Sequence, residues 1–124
     1  MRGFKRYAPG LPRPQVRPVS DALLLLSTCP SDRTAARIAR ALVQERLAAC
    51  VNRVPGLASV YRWRGEIHED AEVLLLIKTT RDRFAPLRAR LVELHSDEVP
   101  ELIALDIADG YPPYLDWLRE QTGA

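Results

Sequence analysis

The chain has 124 residues, of which 47% are hydrophobic, enough for one domain with a real core and too few for several. Its 18 basic residues nearly balance 16 acidic ones, but Arg2, Lys5, Arg6, Arg13 and Arg17 fall within the first twenty residues, where no acid occurs; the remainder carries a net charge of −3. A mildly acidic domain argues against nucleic acid or an anionic membrane as the main partner, and no apolar run approaches the ~20 residues of a membrane-spanning helix.

Residues 1–20 also hold Pro9, Pro12, Pro14 and Pro18. Prolines and cations with few large apolar groups cannot bury enough surface to order themselves, so this stretch is expected to be a flexible Arg/Pro-rich extension preceding a domain at 21–124. It has neither the apolar run of a secretory signal nor the amphipathic pattern of a transit peptide, which points to the cytoplasm. There Cys29 and Cys50 are expected as two reduced thiols. No CxxC or HxxxH spacing occurs, so a closed structural zinc site is not expected.

Ala22–Leu26, "ALLLL", reads as a buried strand. Ser31 or Asp32 can cap the helix that follows, on which Ala35, Ile38, Leu42 and Val43 form one stripe and which should end near Leu47. "ACVNRV" predicts a second strand over 49–54, and Pro55–Gly56 a turn. A third strand follows from about Leu57 to Arg64, stopped by Gly65; period-two geometry sends Ser59, Tyr61 and Trp63 to one face and Val60, Arg62 and Arg64 to the other. Glu66, His68, Glu69 and Asp70 read as a solvated turn in preference to a cation site, because consecutive residues point in different directions. "VLLLI", Val73–Ile77, is the most continuous apolar run and predicts a central strand. Thr80 can cap a second helix, with Phe84, Leu87, Leu91 and Leu94 as its inner stripe. Ile103, Leu105 and Ile107 alternate as a fifth strand, and Tyr111–Gln121 predicts a terminal helix held by Tyr114, Leu115 and Leu118.

These elements fit an α+β fold, the ferredoxin-like βαββαβ plan with a long central hairpin and an extra C-terminal helix. Both main helices would cover one face of an antiparallel sheet. A glycine-rich phosphate loop is absent after the first strand, which disfavours a dinucleotide-binding fold. A two-stranded ribbon outrunning the sheet would expose aromatics and unpaired backbone, so a homo-oligomer with strands paired between copies is expected.

"ERLAACVN", "VPGLASVYRWRGEIHEDAEVLLLIKTT", "LHSDEVPELIALDIADG" and "YLDWL" together resemble the CutA family of divalent-cation tolerance proteins, in order, from about Leu23 to Leu118. The resemblance implies a tight homotrimer, architectural kinship with the PII signalling proteins, and a role in tolerance of copper or another divalent metal. Family members usually read His-Pro-Tyr-Glu before the last strand. Here the segment is "HSDE", His95 to Glu98, so a pocket built on it should be more open and more acidic.

The candidate ligand cleft implied by this resemblance comprises Tyr61, Trp63, Lys78, His95, Glu98 and Glu101. Tyr61 and Trp63 suit an interface core, a cleft wall or a base-stacking platform. Lys78 could instead snorkel from the core, and His95 could be structural at a helix end. His95, of a residue type that titrates near neutral pH, is one candidate metal ligand; Cys29, just before a helix N-terminus where thiol pKa values fall, is the other. Cys50 reads as a small buried apolar residue. No activated nucleophile is visible, so a metal-binding or signalling module is expected and not an enzyme. The alternatives are a PII-like module binding a small anionic ligand between subunits, and a nucleic-acid binder using Tyr61 and Trp63.

Overall fold

A computed structural model of the chain describes residues 21–123. The expected extension over residues 1–20 lies outside the described residues. Strand β1 (Ala22–Cys29) leads into helix α1 (Asp32–Gln44); the long strands β2 (Cys50–Trp63) and β3 (Glu66–Thr80) follow, then helix α2 (Phe84–Leu94), strand β4 (Ile103–Asp106) and helix α3 (Pro112–Thr122). The strands form one antiparallel sheet in the order β2-β3-β1-β4. The expected βαββαβ order with its terminal helix is therefore observed, and its strand count is four.

The middle of the chain differs from expectation. Residues 49–54 and 57–64 are not two strands joined by a turn at Pro55–Gly56. They form the single strand β2, which pairs Val54 with Leu74 and Leu57 with Glu72. Three steps on β2 thus oppose two on β3, so Pro55–Gly56 is a β-bulge that bends the strand without reversing it. Gly56 takes φ +80°, and Pro55 is tolerated because β2 is an edge strand. The reversal comes at Arg64–Gly65, where φ values of 50° and 81° make the two-residue hairpin turn whose twist suits the flanking strands. Glu66–Asp70, expected as a solvated turn, opens β3 instead.

β1 and β3 bury alternate residues. Leu23, Leu25, Val73, Leu75 and Ile77 face α1 and α2, where they meet Ala35, Ile38, Leu42, Leu87 and Leu91 in the main core. Val43, expected on the inner stripe of α1, is exposed. Ser31 caps α1 by accepting from Thr34 N, and the helix ends at Gln44, short of the expected Leu47. Arg46 closes it at φ 59°, and its guanidinium donates to the Glu120 and Gly123 carbonyls at 2.9 and 3.1 Å, tying α1 to the end of α3.

Thr80 does not cap α2: its hydroxyl donates to Asp82 and lies 3.3 Å from the Thr122 hydroxyl. Leu115 and Leu118 anchor α3 on Ala22 and Ala49, whereas Tyr114, expected to pack inward, stays exposed, its ring centre 5.5 Å from that of Trp117. On the face of the sheet opposite α1 and α2, Leu24, Leu26, Leu74 and Leu76 are half-buried, and Ile103 and Leu105 are 49% and 47% exposed. This apolar face has no helix of the main core over it.

Candidate functional site

The β2–β3 ribbon extends past the sheet on the side where β1 ends and α2 gives way to β4. Register puts Leu57, Ser59, Tyr61 and Trp63 on the same face as Glu66, His68, Asp70 and Glu72. The ribbon, the end of β1 at Thr28 and Pro30, and the loop from Asp97 to Glu101 enclose a cleft of about 800 Å³. Tyr61 and Trp63 supply its aromatic wall. Five carboxylates line it: Asp70, Glu72, Asp97, Glu98 and Glu101.

Several contacts fix this lining. The Tyr61 hydroxyl donates to Asp70, and its ring stacks on His68 with centroids 5.4 Å apart and planes 16° from parallel. The Tyr61 phenol is pushed up to about 12, first by that hydrogen bond and then by desolvation and the negative charge of Asp70, Glu72 and Asp97. Arg64 Nη2 donates to both Glu98 oxygens at 2.8 and 3.0 Å, and its guanidinium lies 5.2 Å from the centre of the Trp63 ring. The hairpin turn is thereby fastened to the α2–β4 loop.

Of the six residues the sequence assigned to the cleft, Tyr61, Trp63, Glu98 and Glu101 line it together. His95 lies beneath it, buried at the end of α2. Its Nδ1 accepts from Asp97 N at 2.9 Å, so its Nε2–H donates to the Thr28 carbonyl at 2.7 Å. Both ring nitrogens are engaged in holding the loop to β1. Lys78 is elsewhere, on the face of the sheet opposite the helices, where its ammonium donates to Asn52 at 2.8 Å across from Cys50.

Cys29 is fully buried on the helix side of β1. The low thiol pKa expected from its place before α1 is not found. Desolvation pushes it up to about 11, helped by the charges of Asp97 and Glu72. Cys50 is only partly buried, not the enclosed apolar residue expected. Among the described residues, no three His, Cys, Asp or Glu side chains are grouped so that one subunit could hold a metal ion by itself. Sequence reasoning set Asp70 in a solvated turn and did not single out Glu72, because only the correct hairpin register turns both to the face that carries Tyr61 and Trp63.

The fold, the uncovered sheet face and the acidic ribbon cleft can be set beside known proteins. Residues 23–121 match the family model described as "CutA1 divalent ion tolerance protein". The chain belongs to this family. It is 59% identical over 100 residues to the divalent-cation tolerance protein CutA of Thermus thermophilus, covering 81% of this chain and 97% of that one. The solved structure of a divalent cation tolerance protein from Thermus thermophilus superposes with a TM-score of 0.80 over 82% of this chain and 99% of the other, at 58% identity. CutA from Xylella fastidiosa gives a TM-score of 0.82 at 45% identity, covering 84% of this chain and 100% of the other. A relative from Arabidopsis thaliana named as chloroplastic is 43% identical over 101 residues, 82% of this chain and 56% of that protein. The family membership, the antiparallel sheet and the three helices expected from the sequence thus hold, with four strands in the sheet where five were read.

Proposed function

We propose that the protein is a homotrimeric divalent-cation tolerance module that takes copper or another divalent cation as cargo in its acidic cleft. The observation that carries this reading is the set of five carboxylates around the cleft of a chain from a family described by divalent ion tolerance. Oxygen donors attract divalent cations; the same carboxylates also add to the raised pKa values of Tyr61, after its hydrogen bond to Asp70, and of Cys29, after desolvation. Because one subunit does not gather three such groups at a point, a bound cation would take further donors from water or from a neighbouring copy.

Trimer formation is supported by the apolar face of the sheet opposite the helices. Leu24, Leu26, Leu74, Leu76, Ile103 and Leu105 would leave water if copies packed there, and the exposed edges of β2 and β4 offer unpaired backbone groups to a neighbour. The acidic lining works against a small anionic ligand. It equally works against base stacking, since Tyr61 is tied to His68 and Asp70. We read the role as binding in preference to catalysis, which the carboxylate lining supports. No helix among the described residues is long and apolar enough to cross a membrane.

Calorimetric titration with Cu²⁺ and Zn²⁺ tests the cargo. Saturable binding is expected in the wild type, weakened by the double substitution Glu72→Gln/Glu101→Gln. Substitution of His95→Ala or Cys29→Ser is the control for the ligands first read from the sequence. Absence of saturable binding of any divalent cation would sink the reading.

A further inference from the structure

Arg64 carries an inference that deepens the reading of the cleft as a cation site and rests on it. Arg64 occupies the first position of the hairpin turn at φ 50°, a conformation that crowds any residue with a Cβ. Its guanidinium nevertheless lies over the Trp63 ring and is hydrogen-bonded to Glu98. An aromatic face and a carboxylate together form the pairing by which proteins hold guanidinium and ammonium groups. The chain's own cation shows what this wall of the cleft accepts.

The remaining lining points the same way. Among the described residues, the carboxylates of Glu72 and Glu101 have no hydrogen-bond or ion-pair partner. Val99 adds apolar surface, and about 800 Å³ is the size of an organic ligand site, far more than a bare ion fills. A ligand that uses all of this has cationic ends and an apolar stem. We propose that the cleft binds a linear organic polycation, a polyamine or guanidino-amine, with one charged end over Trp63 and on Glu98 and another on Glu72 and Glu101. Arg64 is then an internal competitor that the ligand displaces.

The chain has two tryptophans, so Trp117→Phe leaves Trp63 as the sole indole reporter. Agmatine and spermidine are titrated into this protein at constant ionic strength while indole fluorescence is followed, and Trp63→Ala is titrated by calorimetry. Saturable binding is expected. Trp63→Ala should weaken it about three- to tenfold, the weight of one cation–aromatic contact, and Glu72→Gln/Glu101→Gln by a similar factor. Arg64→Asn keeps a residue that tolerates the left-handed conformation and removes the competitor; it should tighten binding several-fold. A merely structural Arg64 would give no such gain.

No saturation at millimolar agmatine, unchanged affinity in Trp63→Ala, or weaker binding in Arg64→Asn would each overturn the proposal. Parallel titration with divalent metals separates the two readings. Metal binding should respond to the carboxylate substitutions and ignore Trp63→Ala, so either ligand can fail while the other stands.

Discussion

Cys29 and Cys50 are the same residue type under opposite conditions. Cys29 is sealed beneath the helices with its thiol raised to about 11, whereas Cys50 reaches solvent at the start of β2. Iodoacetamide at pH 8 should label Cys50 first, with Cys29 reacting only on unfolding or at much higher pH; mass spectrometry of the peptides reads this. The shift also fixes a pH effect on stability. From about pH 9 to about pH 11 the unfolded thiol has lost its proton and the folded one has kept it. The folded state then binds more protons, so stability falls as pH rises through that window and is unaffected below it. Denaturant unfolding across pH 7–11 should show this loss in the wild type and a smaller one in Cys29→Ala. The expectation of a lowered Cys29 pKa failed because a helix N-terminus is visible in the sequence. The burial and the distant charges of Asp97 and Glu72 are not.

Among the elements, the ribbon most separates local signals from the final structure. Pro55–Gly56 has the composition of a turn and becomes a bulge, since unbroken pairing with β3 on both sides outweighs the local bias. Arg64–Gly65 reads only as the end of a strand and makes the turn, because Asn or Asp is the usual first residue there and arginine gives no such signal. Gly65 has open space around the place where a Cβ would sit, so Gly65→Ala should cost only its backbone strain, about 1–2 kcal/mol by urea unfolding. Ser31→Ala should remove the α1 cap for about 1 kcal/mol. By contrast the helix stripes were legible. Leu87 and Leu91 on α2 and Ile38 and Leu42 on α1 are fully buried as their spacing required. Leu91→Ala should cost about 2–5 kcal/mol, the range for emptying a packed site.

For the whole molecule the decisive surface is the uncovered sheet face. Light scattering after size-exclusion chromatography should give three times the mass of one chain. Ile103→Asp/Leu105→Asp places charges where the single chain is half-exposed, so it should dissociate the assembly while leaving the circular dichroism of the subunit unchanged. A monomeric wild type would refute the assembly and the role given to that face.

What the sequence determined by itself were the features set by period and composition: two helices with buried stripes, the apolar central strands, the acidic balance beyond the first twenty residues, and the family resemblance. These depend on neighbours a few residues apart. Register and site required the fold. The bulge at Pro55–Gly56 moves the reversal to Arg64–Gly65, and this pairing places Asp70 and Glu72 beside Tyr61 and Trp63. The α2–β4 loop then brings Asp97, Glu98 and Glu101 to the same cleft, while Lys78 stays on the open face of the sheet. Side chains from positions as far apart as Thr28 and Glu101 meet there, and only the long-range pairing energy of the sheet decides which of them do.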